Sequence, residues 1–195
     1  MSSIRSVIIG LGQIGAGYDA ELDSARYAYS HARALEQHSN FSLMAGVDTQ
    51  SANRDRFSKL YNVAAYERYN GIAFDEAPAL VIVAVPTEFH WQVVQEVIKV
   101  AAPKVILCEK PLSFDAKEAR QIVQLCNEHQ VQLFVNYFRR SEPAVLQINE
   151  RIQNGAIAAP LKAVVWYSKG FLHNGSHFFN LLEFWLGAFI QGSQR

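Results

Sequence analysis

Three glycines follow the first apolar run of the chain with the spacing of a phosphate-binding turn. Gly10, Gly12 and Gly15 form a G-x-G-x-x-G motif directly after residues 4–9. The first glycine permits a tight turn, the second lets backbone approach a pyrophosphate, and the third allows close packing of helix on strand. Backbone N–H groups at the start of the following helix would hold the phosphates. The motif therefore predicts dinucleotide binding by Gly10, Gly12, Gln13, Ile14 and Gly15.

An acidic residue stands at the end of the second apolar run. Asp48 follows residues 41–47 and lies 33 residues after Gly15. A carboxylate at this position accepts hydrogen bonds from the adenosine ribose hydroxyls and repels a 2′-phosphate, so it favours NAD over NADP. The separation usually expected is about 20 residues, and we interpret residues 16–29 as an insertion. The alternative for Asp48 is a polar residue that simply ends a strand.

Three further polar segments follow apolar runs that predict strands. They are residues 86–90, 109–111 and 136–140. Open α/β sheets bind their ligands at the carboxyl ends of the strands, where all three segments are expected. Lys110, between Glu109 and Pro111, can orient a substrate hydroxyl or donate to it. Taken alone, a lysine is more commonly a solvated surface charge, and that alternative stays open.

Two histidines four residues apart stand at the predicted start of a late helix. His173 and His177 flank Asn174, Gly175 and Ser176. Imidazole is the natural proton acceptor near neutral pH, so both are candidates for acid–base chemistry. A metal site would need a third ligand, and a glycine inside H-x-x-x-H suits a helical zinc pair poorly, so we expect no metal. A structural role suits His173 better than it suits His177.

Five short apolar runs predict the strands that carry these residues. Each run is continuous rather than alternating, as in a parallel sheet covered on both faces. The runs are residues 4–9, 41–47, 79–85, 104–108 and 131–135. Helical patterns lie between them, over about residues 30–35, 89–101 and 113–126, the last capped by Ser113 or Asp115. The alternation predicts an α/β fold with a doubly wound parallel sheet in a first domain, residues 1–140.

The pattern changes after residue 140. The predicted elements are a helix from residues 141–143 to 152, a strand over 161–168 and an aromatic-rich helix over about 176–186. The aromatic side chains of this part, Trp166 and Phe189 among them, need apolar surface to pack against. We therefore expect residues 141–195 to form an incomplete second α/β domain that binds substrate and mediates oligomerisation.

Composition excludes several functional classes. The chain of 195 residues has 18 Lys and Arg against 18 Asp and Glu, a formal net charge of zero. It therefore lacks the basic surface that nucleic acid or an anionic membrane requires. No apolar run approaches the roughly 18 residues that span a bilayer, and we find no signal peptide. Two cysteines make no disulfide framework, so we expect a cytoplasmic protein with Cys108 as a buried thiol.

Several motifs in order along the chain resemble the glucose–fructose oxidoreductase/inositol dehydrogenase (Gfo/Idh/MocA) family. They are the glycine motif at 10–15, Val-Ala-Val-Pro-Thr at 83–87 with His90, Glu109-Lys110-Pro111, and Gly175-x-His177. The resemblance implies a Rossmann domain followed by an α/β domain built on an open, largely antiparallel sheet. It also implies that NAD(P) serves to oxidise or reduce a hydroxyl carbon of a sugar, sugar nucleotide, inositol or related compound.

The resemblance implies roles for individual residues. The catalytic candidates are Lys110, which assists proton transfer, His177, the general base for the hydroxyl proton, and His173. Residues expected near the nicotinamide half of the cofactor are Pro86, Thr87 and His90. Glu109 and Pro111 are expected to shape the turn beneath it, Pro111 often with a cis peptide bond, and Glu109 and Lys110 are further cofactor-binding candidates. Substrate-binding candidates are Lys110, Asn136, Arg140, Asn174 and His177. The chain departs from the family pattern at His173 and Asn180, where members commonly carry aspartate.

The leading hypothesis is an NAD-dependent oxidoreductase that acts by hydride transfer on a small sugar-like substrate, as a homo-oligomer. Family members usually run well beyond the 195 residues of this chain, so we expect a truncated member. One alternative is therefore a non-catalytic dinucleotide-binding remnant. A purely structural interaction domain ranks last, because it leaves the glycine motif, Asp48 and Glu109-Lys110-Pro111 unexplained.

Overall fold

Six parallel strands form a single sheet in the computed structural model, which describes residues 3–188. The strands are β1 (Ile4–Ile9), β2 (Phe41–Val47), β3 (Ala65–Tyr66), β4 (Leu80–Val83), β5 (Val105–Cys108) and β6 (Gln132–Val135). Their order across the sheet is β3-β2-β1-β4-β5-β6, and every neighbouring pair is parallel. The strand order reverses between β1 and β4, so the predicted doubly wound sheet of Rossmann type is confirmed.

The predicted strands differ from the observed ones mainly at their ends. The bounds of β1 and β2 agree with the prediction, whereas β4, β5 and β6 are one to three residues shorter. The two-residue β3 was not predicted, because no extended apolar run marks it. Strand ends are the least certain part of any assignment from pattern.

Four helices connect the strands of this sheet. They are α1 (His31–Gln37), α2 (Ser51–Tyr61), α3 (His90–Ala101) and α4 (Ala116–Glu128). The side chain of Asp115 accepts a hydrogen bond from the backbone N–H of Lys117 at 2.9 Å, which makes Asp115 rather than Ser113 the cap of α4. At the start of α1, the hydroxyl of Ser30 accepts from the backbone N–H of Arg33 at 3.3 Å.

Apolar side chains cover both faces of the sheet. On β1, Val7 and Ile9 belong to one buried cluster and Ile8 to another, as expected where successive residues of a strand point to opposite faces. The first cluster includes Cys108 and Cys126, both buried and free. The continuous apolar runs of the sequence thus reflect a sheet buried on both sides.

The chain forms two compact units, Met1–Val135 and Asn136–Arg195. The second unit therefore starts five residues before the predicted position at residue 141. It contains α5 (Pro143–Gln153) and α6 (Ser176–Leu186), and the indole N–H of Trp185 on α6 donates to the carbonyl oxygen of Val145 at 3.1 Å. Both helices agree closely with the prediction.

The strand predicted over residues 161–168 is wrong. These residues form no strand, and the side chains of Val164 and Trp166 are 80% and 90% exposed. A strand needs a neighbour to pair with, and β-branched and aromatic residues alone do not supply one. Within residues 136–188 the described secondary structure is helical, and Phe189 lies outside the described residues.

No helix within residues 3–188 is long and apolar enough to cross a membrane.

Candidate functional site

Two of the three motif glycines are required by the fold itself. Gly10 has a φ of +95°, and a Cβ atom built on it would lie 2.6 Å from the carbonyl carbon of Ala84. A Cβ atom on Gly15 would lie 1.9 Å from the carbonyl oxygen of Gly10. A side chain at either position would collide with backbone, because the turn lies close to Ala84 and folds back closely on itself. Gly10 and Gly15 therefore make the turn possible.

Gly12 differs from the other two glycines because its surroundings are open. A Cβ atom built on Gly12 meets no heavy atom within 4 Å. The short helical turn Gln13–Gly17 begins directly after it. The fold thus has no steric need for glycine at position 12, and the space in front of its backbone is available to a ligand. This is the arrangement expected where a phosphate approaches the main chain.

Asp48 contacts the glycine turn directly. Its Oδ2 accepts hydrogen bonds from the backbone N–H of Leu11 at 2.8 Å and from the Asn53 amide at 3.1 Å, and its Oδ1 accepts from the backbone N–H of Gln50 at 2.8 Å. The guanidinium of Arg56 holds the other side of the turn by donating to the Leu11 carbonyl oxygen at 2.7 Å. The sequence pattern located Asp48 but gave no indication of these contacts.

The segment after β4 begins with the half-buried Val85 and continues through Pro86 and Thr87 to His90 at the start of α3. The imidazole of His90 is fully buried. Its Nδ1 lies 3.1 Å from the carbonyl oxygen of Leu112 and its Nε2 lies 3.0 Å from that of Val85. His90 therefore ties the end of β4 to the loop that follows Pro111.

The Glu109-Lys110-Pro111 segment follows β5 directly. The Lys110–Pro111 peptide bond is cis, as the family resemblance implies. Glu109 accepts a hydrogen bond from the Lys110 backbone N–H through Oε2 at 3.3 Å, and its Oε1 lies 2.8 Å from Nε2 of His31. His31 was not among the predicted site residues, because the contact joins positions 78 residues apart.

The first unit brings the predicted cofactor residues to one edge of its sheet. The backbone N–H of Gly10 donates to Val47, that of Ala84 to Ile9, and that of Glu109 to Val83, at 2.7–2.9 Å. The residues that lie at this edge are the glycine turn, Asp48, Pro86, Thr87, Glu109 and Lys110. This is the carboxyl edge of the parallel strands, at the point where their order reverses, where doubly wound folds bind ligands.

The second unit holds the predicted histidines. His177, near the start of α6, is only 5% exposed, and its ring packs edge-on against Tyr137 at 5.7 Å and Phe138 at 5.6 Å between centroids. His173 is exposed on the helical turn Phe171–Gly175, and Asn174 beside it is half-buried. The two histidines thus have different surroundings although they are only four residues apart.

Arg140 and Asn180 are linked within this unit. The Arg140 guanidinium donates to the backbone carbonyl of Asn180 at 3.0 Å, lies 3.3 Å from a carboxylate oxygen of Glu183, and stacks on the ring of Phe184. Asn180, where the family resemblance implies an aspartate, has a buried Oδ1 with no hydrogen-bond partner among the described residues. Asn136, the first residue of this unit, is half-buried.

The two cysteines have the properties of core thiols. Burial, the neighbouring charge of Glu109 and the proximity of Cys126 raise the pKa of Cys108 far above its usual value. Burial also raises the pKa of Cys126 to about 11. Because the thiolate is the reactive form, neither thiol is suited to act as a nucleophile near neutral pH. Among residues 3–188, no three His, Cys, Asp or Glu side chains are grouped to hold a metal ion.

The fold and the glycine turn are those of an α/β protein of Rossmann type. Residues 4–137 match the sequence model of the Gfo/Idh/MocA family, described as an oxidoreductase family with an NAD-binding Rossmann fold. The chain belongs to this family. The resemblance inferred from its motifs is therefore confirmed.

Similar proteins include sugar and inositol dehydrogenases. A D-xylose 1-dehydrogenase of Haloarcula marismortui, named for NADP(+), is 32% identical over 96 residues, which are 49% of this chain and 26% of that enzyme. An inositol 2-dehydrogenase of Rhizobium meliloti is 25% identical over 157 residues, which are 80% of this chain and 42% of that enzyme. The chain thus spans less than half the length of each of these relatives.

A solved structure shows the same fold. The scyllo-inositol dehydrogenase from Lactobacillus casei, crystallised with NAD(H) and scyllo-inositol, matches 95% of this chain and 57% of its own with a TM-score of 0.75. The two sequences are 18% identical, so this likeness concerns the fold.

Proposed function

We propose that this chain binds a nicotinamide dinucleotide at the carboxyl edge of β1, β2, β4 and β5 and serves the oxidation or reduction of a hydroxyl carbon in a polyol or sugar-like substrate. The observation that carries the proposal is the open space in front of Gly12, beside a carboxylate held at the end of β2. The family membership and the names of the dehydrogenases it resembles support this substrate class.

The residues at this edge fit the cofactor. Gly12 leaves its main chain accessible to a pyrophosphate, and Gln13, Ile14 and Gly15 follow in the helical turn. Pro86, Thr87, Glu109 and Lys110 would line the nicotinamide half. The buried His90 would act indirectly, by fixing the backbone at Val85 and Leu112. When bound, the cofactor supplies the two-electron acceptor or donor of the reaction.

We infer that NAD is preferred to NADP. The Asp48 carboxylate retains acceptor capacity beyond its three hydrogen bonds to Leu11, Gln50 and Asn53, and ribose hydroxyls are suitable donors to it. A 2′-phosphate would place like charge beside this carboxylate. Similar proteins include one named for NADP(+) and one crystallised with NAD(H), so the choice depends on residues of the individual chain.

For the second unit, we propose that His177 accepts the hydroxyl proton of the substrate during oxidation and returns it during reduction. For the first unit, Lys110 is the proposed donor to a substrate hydroxyl. Asn136, Asn174 and His173 are the proposed further substrate contacts. Arg140, which donates to the Asn180 carbonyl oxygen and lies 3.3 Å from a Glu183 carboxylate oxygen, is the remaining proposed substrate contact.

Substitution of Gly12 separates cofactor binding from folding. In Gly12→Ala the new methyl group meets no protein atom, so we expect the midpoint of thermal unfolding to stay within about 2 °C of wild type. The same methyl group would stand where the pyrophosphate approaches, so we expect the dissociation constant for NADH to rise at least about tenfold. Titration of NADH followed by its fluorescence measures the second effect.

Gly71→Ala is the matched control. A Cβ atom on Gly71 also meets no heavy atom within 4 Å, and Gly71 lies in the turn Tyr69–Gly71 before β4 rather than at the carboxyl edge. This variant should bind NADH as wild type does. Absence of saturable NADH binding by the wild-type chain would overturn the proposed function. Saturable binding without turnover of any polyol or sugar would favour the non-catalytic alternative.

A further inference from the structure

A buried carboxylate closes the segment between the glycine turn and α1. Asp19 is fully buried. Its Oδ2 accepts hydrogen bonds from the backbone N–H groups of Tyr29 at 2.6 Å and Ser30 at 2.8 Å, and its Oδ1 accepts from the Ser30 hydroxyl at 2.6 Å. Three donors from two adjacent residues thus converge on one side chain. They fix the end of residues 16–29 at the first turn of α1.

The next residue, His31, meets the segment that follows β5. Ser30 caps α1, so its backbone and hydroxyl set the direction in which the helix starts. His31 is the first residue of α1, and its Nε2 lies 2.8 Å from Oε1 of Glu109. The side chains are 12% and 13% exposed, so the pair is largely shielded from water.

Glu109 connects His31 with the main chain at Lys110. Its second oxygen, Oε2, accepts the backbone N–H of Lys110 at 3.3 Å. A carboxylate offers acceptors only, so a donor on each oxygen fixes the plane of the group. The chain of contacts runs from Asp19 through Ser30 and His31 to Glu109 and Lys110, entirely within the first unit.

We propose that His31 is a positioning residue: it orients the Glu109 carboxylate and thereby holds the backbone at Lys110. The segment of residues 16–29, closed by Asp19, serves to place His31. An effect of His31 on cofactor binding rests on the proposed function, whereas its effect on the Lys110 backbone does not. Functional groups need supporting contacts that hold them in the geometry required for binding and reaction.

Amide hydrogen exchange at Lys110, measured without cofactor, tests the proposal directly. In His31→Ala the Glu109 carboxylate loses its imidazole donor, so we expect the Lys110 amide to exchange about tenfold faster than in wild type. In His31→Gln the side-chain amide can still donate to Glu109, and exchange should stay within about threefold of wild type. His38→Ala is the control, because His38 is exposed at the other end of α1.

NADH titration of the same variants provides the second measurement. We expect the dissociation constant to rise about fivefold to tenfold in His31→Ala and to be largely restored in His31→Gln. If wild type binds no NADH, the proposed function fails, and Lys110 exchange alone decides the role of His31. Wild-type exchange at Lys110 in His31→Ala would overturn the positioning role. Fast exchange in β1 as well would show that His31→Ala has unfolded, and His31→Gln then decides the question. If His31→Gln is folded and its Lys110 amide exchanges tenfold faster than in wild type, the positioning role is overturned.

Discussion

Asp48 is the residue on which the preference between the two dinucleotides depends. In Asp48→Asn the loss of negative charge weakens acceptance from the ribose hydroxyls, and we expect NADH to bind about tenfold more weakly. The same change removes the repulsion of a 2′-phosphate, so NADPH should bind no more weakly than it binds wild type. The dissociation constant for NADPH divided by that for NADH is therefore expected to fall toward one in Asp48→Asn. Fluorescence titrations with both cofactors measure it.

Asp48 also supports the glycine turn, so the effect on folding has to be measured separately. Asp55→Asn serves as control, because Asp55 is exposed on α2 a short distance along the chain. It should leave both dissociation constants unchanged. If wild type already binds NADPH as tightly as NADH, the role given to Asp48 is contradicted.

Asp19 fixes the start of α1 through its hydrogen bonds with Tyr29 and Ser30. Burial alone would raise the pKa of Asp19 above its usual value of 3.8, but the hydrogen bonds from Ser30 and Tyr29 outweigh it and the pKa is lowered. A carboxyl whose pKa is lower in the folded state stabilises the fold at pH values above its unfolded pKa. That stabilisation is lost as the pH falls through the folded pKa.

The variant Asp19→Asn tests this dependence on pH. We expect it to unfold with a free energy about 2 kcal/mol below that of wild type at pH 7. The difference should stay constant down to about pH 5 and shrink below about pH 4. Urea denaturation at a series of pH values measures it, and Asp75→Asn, an exposed position, should show no such dependence. A difference that grew as the pH fell would contradict the interpretation.

The elements also show how far the sequence determines this structure. The runs that became β1 and β2 were located because apolar residues buried on both faces leave a continuous pattern. Residues 161–168 have the composition of a strand but no strand to pair with, which local pattern cannot reveal. In the site, Asp48 was found from its position after β2, whereas the contact of His31 with Glu109 is set by the packing of distant segments.

The proposed cofactor residues all lie in the first of the two units, which also contains nearly all of the family match at residues 4–137. NADH should therefore stabilise that unit selectively. At 100 times the dissociation constant, binding contributes about 2.7 kcal/mol, and exchange that requires unfolding of the unit should slow about 100-fold. Hydrogen exchange followed by mass spectrometry should show this slowing in β1, β2 and β4, with α5 unchanged. Equal slowing in α5 would mean that both units unfold together, and slowing confined to α5 would place the cofactor elsewhere.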